Sequence, residues 1–188
     1  EFERHSLRYL GGETGHAAVT HVQFVQLTPD GPKTLLVCDG RYGLVLAASP
    51  DQPETLTVLG AVPQPCHLYV VDLDRDGILD ILVASLGEFN PTDAKKGAVY
   101  WLKGDRRGGF QTIELITGLG RVSDVQAADF NGDGKVDLII AEFGWRNVGG
   151  IIYCENITTD EEFPVFERRY IDNHHGGIHI PIVDLNGD

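Results

Sequence analysis

Short apolar runs separated by turn residues recur along the whole chain. The runs 98–103 and 110–116, for example, are rich in aliphatic and aromatic residues, and a turn of Gly, Asp and Arg at 104–109 separates them. No apolar run approaches the roughly 18 residues that a membrane-spanning helix needs. The pattern predicts an all-β chain of short strands joined by tight turns.

An acidic nine-residue motif repeats within this pattern. Complete copies occupy 72–80 and 129–137, and a shortened copy occupies 184–188; their first residues are 57 and 55 positions apart. A fourth copy at 26–34 has lost most of its acidic residues. A strand-like run precedes each copy, and another follows every copy except the shortened one. The repeating unit is therefore four strands, with the acidic loop joining the first strand to the second.

Four-stranded units repeated at this spacing are typical of β-propeller blades. A sandwich of short strands is the alternative, but sandwiches rarely repeat one loop at a fixed period. We predict a single partial β-propeller domain over 1–188, with blades at about 21–62, 67–117 and 124–172 and flanking strands at 2–10 and 178–184. A closed ring typically has four to eight blades, and the chain contains no Met. We therefore expect a processed or incomplete product, completed by further sequence or by another chain.

The charge of the chain is strongly acidic and concentrated in the repeated loops. The 188 residues include 28 acidic and 15 basic residues, a formal net charge of −13, which makes a nucleic-acid partner unfavourable. Clustered acids point to cations instead. The three cysteines show no CxxC spacing, so no zinc knuckle or attached haem is indicated, and the state of the thiols stays open.

Each complete acidic loop has the oxygen donors that calcium requires. Calcium takes six to eight oxygen ligands, and side chains at positions 1, 3, 5 and 9 with the carbonyl at position 7 supply them. Glycine at position 6 (Gly77, Gly134) allows the chain to reverse. Without an ion the crowded carboxylates would repel one another, which disfavours a merely solvated turn. The predicted Ca²⁺ ligands are Asp72, Asp74, Asp76, the Ile78 carbonyl and Asp80; Asp129, Asn131, Asp133, the Lys135 carbonyl and Asp137; and, in a weak third site, Asp184, Asn186 and Asp188.

The DxDxDGxxD loop between two strands, followed by a Gly-aromatic element, resembles the FG-GAP/VCBS repeat family. The Gly-aromatic elements are Glu142-Phe-Gly144 and Leu86-Gly-Glu-Phe89, and the family includes the propeller of integrin α subunits. The resemblance implies a propeller with calcium at its rim and an extracellular or periplasmic setting. It does not imply one function, because such propellers serve in adhesion, lectins, lyases and scaffolds.

Polar residues recur at one position of the predicted innermost strands. His21, His67, Asp124 and His179 each stand five residues before the first residue of a loop copy, where side chains approach the central channel. One hypothesis is a metal-capable or ligand-binding ring at the channel mouth, because imidazole binds transition metals. The alternative is that the starts of the innermost strands are wet and favour His for hydrogen bonding across blades. Neighbouring blades would also separate these residues by more than a ligand-to-ligand distance unless the ring is small.

Aromatic residues at loop tips suggest a binding face on the same side. Tyr42 and Trp145 lie in predicted second-to-third strand connections, and such residues are common at interfaces and sugar-binding platforms. Our first hypothesis is a calcium-stabilised, non-enzymatic module that binds a protein or glycan. The alternatives are an enzyme using the His/Asp ring, such as a polysaccharide lyase or a metal-dependent oxidoreductase, and a structural subunit of a larger extracytoplasmic assembly.

Overall fold

Twelve strands form three antiparallel sheets in the computed structural model of the chain, which describes residues 17–28, 30–159 and 163–185. Each sheet contains four strands in sequential order, as expected when every connection is a short turn between neighbours. The strands are β1 Val19–Gln26, β2 Lys33–Asp39, β3 Leu44–Ser49 and β4 Gln52–Ala61; β5 Pro65–Val71, β6 Asp80–Ser85, β7 Gly97–Gly104 and β8 Phe110–Leu119; β9 Val122–Ala128, β10 Asp137–Glu142, β11 Gly150–Asn156 and β12 Phe166–Asp172.

Two apolar cores hold the three sheets together face to face. Because side chains alternate along a strand, Ile81 of β6 faces the first sheet and Leu82 faces the third. The core between the first and second sheets includes Leu36, and that between the second and third includes Leu138. All six residues of β6 are buried, which explains why its four central residues, 81–84, form a continuous apolar run rather than an alternating one.

Side-chain hydrogen bonds also link the first strands of consecutive sheets, so β1, β5 and β9 lie side by side. Thr20 Oγ1 in β1 donates to the Pro65 carbonyl of β5 at 2.6 Å. Cys66 Sγ in β5 contacts the Val122 carbonyl of β9 at 3.1 Å. The stacking of whole sheets with their first strands together is the arrangement of neighbouring propeller blades.

The predicted all-β class is confirmed, and the sheets cover almost the predicted blade ranges. The described residues form three sheets and do not close a ring. The flanking strand predicted at 2–10 lies outside the described residues. The strand predicted at 178–184 is not formed: no described segment pairs with it, and a strand requires a ladder partner. None of the described residues forms a helix with the length and apolar character needed to cross a bilayer.

Candidate functional site

The two complete acidic loops adopt the same hydrogen-bonded conformation. In the first loop the position-1 carboxylate, Asp72 Oδ2, accepts from the Gly77 amide at 3.0 Å. In the second, Asp129 Oδ2 accepts from the Gly134 amide at 2.8 Å. The side chains at positions 3 and 5 each accept from the amide two residues later in both loops. Both position-6 glycines have positive φ, 84° and 89°, as the chain reversal requires.

The last aspartate of each loop ties the loop to the third strand of its sheet. Asp80 Oδ1 accepts from the Gly104 amide at 2.8 Å, and Asp137 Oδ1 accepts from the Asn156 amide at the same distance. Asp80 Oδ2 also accepts from the Leu73 amide at 3.0 Å. Burial raises the pKa of Asp80, against the opposing effect of these hydrogen bonds. Position 9 is therefore both a candidate ligand and the anchor of the loop.

Carboxylate oxygens converge in the first loop. Asp72, Asp74 and Asp80 each offer an oxygen within 4.8 Å of the others, and Asp72 Oδ1 is buried with no hydrogen-bond partner. Asp76 is outside this group. An all-oxygen donor set with an unpaired buried carboxylate oxygen fits calcium, which accepts irregular geometry. The predicted ligands of the second loop follow the same backbone course, with an amide, Asn131, at position 3.

The third strand of each sheet places one charged residue next to the acidic loop, and the sign of its charge differs between the second and third sheets. Lys103 follows Leu102, which pairs with Ile81, and its Nζ is in close contact with Asp74 Oδ2. Glu155 occupies the corresponding place in the third sheet, and Asn131 Nδ2 donates to its Oε1 at 3.4 Å. A lysine thus faces the four-aspartate loop, and a glutamate faces the loop that carries an asparagine.

The remaining predicted loop residues are only partly described. Asp184 is described, whereas Asn186 and Asp188 lie outside the described residues, so the third site stays a prediction. The degenerate copy at 26–34 joins β1 to β2 and retains Asp30 as its acidic residue. Its predicted lack of metal also stays a prediction.

At the opposite end of the first strands, three of the four ring residues come together. His67 Nδ1 lies 2.8 Å from Asp124 Oδ1, and His179 Nδ1 lies 2.6 Å from Asp124 Oδ2. The three offer ligand atoms within 4.8 Å of one another. The His21 ring packs against the His67 ring with centroids 4.2 Å apart. The residues are therefore close enough to share a ligand, and the alternative of hydrogen bonding across blades stays open.

Asp124 is the buried centre of this group. Its side chain is 0% exposed, against 14% for His67 and 58% for His179. Burial alone would raise the pKa of Asp124, but the contact with His67 and the hydrogen bond from the Ile180 amide outweigh it and lower the pKa to about 2. Burial, followed by the charge of His67, lowers the pKa of His21 to about 4. The group thus has a permanent carboxylate with imidazoles around it.

A β-bulge recurs immediately before three of the four ring residues. The extra residue in the ladder is Thr20 in β1, Cys66 in β5 and Ser123 in β9, where the registers shift. Ser123 Oγ contacts the Gly177 carbonyl at 2.8 Å, which repeats the links made by Thr20 and Cys66 and places His179 in the fourth equivalent position. These bulges were not predicted, although Thr, Cys and Ser recur in the sequence one residue before His21, His67 and Asp124.

The predicted aromatic loop residues lie on the same end of the sheets but outside the cluster. Tyr42 is 45% exposed in the β2–β3 turn, and Trp145 is 39% exposed in the β10–β11 loop. The Arg146 guanidinium stacks on the Trp145 ring at 4.2 Å. Asp93, which the sequence analysis did not identify, accepts from the amides of Arg146 and Asn147 at 2.9 and 3.0 Å. This carboxylate fixes the loop that presents Trp145.

The three cysteines are free thiols in non-reactive surroundings. Burial raises the pKa of Cys38 and of Cys154 to about 12, and burial raises that of Cys66 as well. Since the thiolate is the nucleophilic form, none of them is suited to covalent catalysis.

Comparison with known families identifies the repeat. The family model described as the FG-GAP-like repeat matches residues 72–140, from the first residue of the first complete loop into β10. The segment 72–140 is therefore an FG-GAP-like repeat, and the resemblance inferred from the acidic loops is confirmed. A search of the curated proteins gave no match to the chain.

Proposed function

We propose that the chain is part of a calcium-stabilised β-propeller that acts as an extracytoplasmic binding or scaffold module. The observation that carries the calcium proposal is the shared conformation of loops 72–80 and 129–137, in which the side chains at positions 1, 3 and 5 accept the same backbone hydrogen bonds, together with the convergence of carboxylate oxygens in the first loop. The extracellular or periplasmic setting is proposed from the FG-GAP-like repeat, because such repeats are typical of extracellular proteins.

Calcium would stabilise the protein by closing the turn between the first and second strands of a sheet. Asp72, Asp74 and Asp80 would hold the ion in the first loop, with Asp129 and Asn131 among the donors of the second. Binding at 100 times Kd adds about 2.7 kcal/mol per site. Two sites therefore add roughly 5 kcal/mol, or roughly 10–20 °C in melting temperature for a domain of this size.

Thermal melting with calcium or with excess chelator tests this proposal. The wild-type protein should melt at a lower temperature in chelator, and the double variant Asp72→Ala/Asp129→Ala should melt at the same temperature in both. Asp30→Ala, which changes the degenerate copy, is the matched control and should keep the full calcium response. Superimposable wild-type melts would show that the loops do not depend on calcium.

A partner-binding face is proposed at the end of the sheets that carries Tyr42 and Trp145. The Trp145–Arg146 stack is partly exposed and held in place by Asp93, so it is presented at little conformational cost. Such rigid aromatic and arginine side chains are typical binding hot spots. The partner we propose is a protein or a glycan, as the sequence analysis suggested.

A glycan array gives the first test of this face. Loss of a central aromatic anchor costs about 2 kcal/mol or more, which is roughly 30-fold in affinity. Trp145→Ala should weaken any glycan signal by that factor. Phe130→Ala, which removes an exposed aromatic ring from the acidic-loop end, should leave it unchanged. Equal signals from both variants would place the binding surface elsewhere, and the absence of any glycan signal would leave the protein class of partner as the one to pursue with Trp145→Ala.

A further inference from the structure

We propose that His67, Asp124 and His179 form a transition-metal site of the zinc class beside the starts of strands β5 and β9. The site differs from the calcium loops in position and in chemistry. Asp72 lies five positions after His67, about 17 Å along an extended strand. The donors are two imidazole nitrogens and one carboxylate, a set that suits zinc, whereas calcium requires six to eight oxygens.

The geometry brings the donors from separate parts of the fold to one point. His67 comes from the second sheet, Asp124 from the third, and His179 from the segment after β12. Donors around a tetrahedral zinc ion are about 3.4 Å apart, and the three ligand atoms already lie within 4.8 Å of one another. The remaining adjustment falls on His179, whose side chain is 58% exposed and can turn inward without disturbing the core.

Two buried nitrogen atoms at the same place lack a hydrogen bond and supply a second observation. His67 Nδ1 lies 2.8 Å from Asp124 Oδ1 but without hydrogen-bond geometry, and His21 Nε2 is buried without a hydrogen-bond partner. A buried polar atom without a hydrogen bond is costly. A metal ion shared with Asp124 would satisfy His67 Nδ1, and the His21 ring would support the His67 ring by packing against it at a tilt.

The number of ligands indicates an open site. Three protein ligands leave one position of a tetrahedral ion for water or for an incoming group, whereas purely structural zinc sites have four protein ligands. Because His179 is exposed, the open position lies toward solvent on the end of the sheets that presents Trp145. The ligand class that would reach the ion is a small oxygen or nitrogen donor.

Calorimetric titration with zinc chloride tests the site in the intact chain. The protein is first stripped of metal with chelator and then kept in excess calcium, so that calcium competes with zinc for the acidic loops. The zinc affinity of the histidine variants is compared with that of the wild type in the same buffer, so the result does not depend on the calcium proposal. We expect one zinc ion per chain and a more than 100-fold loss of affinity in His179→Ala, beyond the 10–100-fold that outer-shell partners contribute. His67→Ala should lose zinc to a similar extent.

A matched control is present in the same chain. His174 Nδ1 lies 2.6 Å from Asp172 Oδ1, but this pair is exposed, and no third ligand residue joins it within the described part of the chain, so His174→Ala should bind zinc like the wild type. Cobalt substitution gives a second readout, because a tetrahedral cobalt site with nitrogen donors absorbs visible light and His179→Ala should abolish that absorption. His179→Ala decides the question even if His67→Ala fails to fold.

Two results would overturn the proposal. One is a wild-type isotherm without stoichiometric zinc binding. The other is equal zinc affinity in the wild type and in His179→Ala, which would make the cluster a hydrogen-bonding network around Asp124.

Discussion

The bulge residues Thr20, Cys66 and Ser123 provide the sharpest test of how the sheets are held together. Ser123→Ala removes a hydroxyl that lies 3.1 Å from the Ala141 carbonyl of its own sheet and 2.8 Å from the Gly177 carbonyl of the next segment. A hydroxyl donates one proton, so the direct loss counts as one hydrogen bond, about 0.5–1.5 kcal/mol. The Gly177 carbonyl also loses its partner in a partly buried seam. The expected cost is about 1–2 kcal/mol, or roughly 2–8 °C in melting temperature.

Cys66→Ser makes the opposite change at the equivalent position of β5, because it replaces a weaker hydrogen-bond donor with a stronger one. A thiol is a weak donor, and the sulfur lies 3.1 Å from the Val122 carbonyl. Oxygen lies at 2.6 and 2.8 Å from the corresponding carbonyls at Thr20 and Ser123, so a serine hydroxyl fits the site. We expect Cys66→Ser either to raise the free energy of unfolding or to lower it by less than about 0.5 kcal/mol.

Urea unfolding at saturating calcium measures both effects. Ser49→Ala is the control, because Ser49 is exposed and its Oγ accepts a bond from the Asp51 amide at 3.3 Å; we expect a change within about 0.5 kcal/mol. The hydrogen-bond explanation is refuted if Ser123→Ala is as stable as the wild type while Cys66→Ser is strongly destabilised. That pattern would mean that the bulge residues act through buried volume and not through hydrogen bonds.

The charged residue that faces each acidic loop gives two further predictions. Both are checked by calcium titration of one loop at a time, with the other loop disabled by an Asp→Ala substitution at its first position. Lys103→Gln should tighten calcium binding to loop 72–80 by roughly 3–10-fold, because an ammonium group beside Asp74 opposes a divalent ion, and Lys96→Gln at the other end of the sheet should have no effect. Glu155→Gln should weaken binding to loop 129–137 by a similar factor, since a nearby carboxylate is lost. Unchanged affinities would show that these strand residues lie outside the field of the ion.

Repetition is why the strands could be predicted from the sequence so closely. Each acidic loop marks the turn between a first and a second strand, so the three sheets were placed to within about two residues at most boundaries. A strand cannot be predicted from its own pattern alone, because it also needs a neighbouring strand to pair with. The segment 178–184 has an apolar pattern like that of β5, but no described segment pairs with it, and pattern alone does not create a ladder.

The sites could be predicted less completely, because their geometry depends on contacts between sheets. Loop ligands follow from local spacing, and the ring residues follow from aligned copies. The role of Asp93 did not follow, because it binds amides 53 and 54 residues away and nothing local in the sequence identifies it. The bulges were also missed, since a single extra residue leaves the apolar alternation almost intact.

The bulges explain why the ring residues meet at all. Stacked sheets lie about 10 Å apart, which would keep equivalent side chains on neighbouring sheets from sharing a ligand, and the sequence analysis considered this alternative. At each bulge the extra residue turns toward the next sheet or segment and contacts its backbone at about hydrogen-bond distance, while the following residue belongs to the group around Asp124. The first strands therefore converge at this end, and Cys66-His67 and Ser123-Asp124 act as two copies of one device.

His179 reaches the same place without a ladder, through the contact of Ser123 Oγ with Gly177 and the hydrogen bond from the Ile180 amide to Asp124. The position of His179 thus depends on the side chains of the third sheet, which makes the proposed metal ligands and the links between the sheets parts of the same structure.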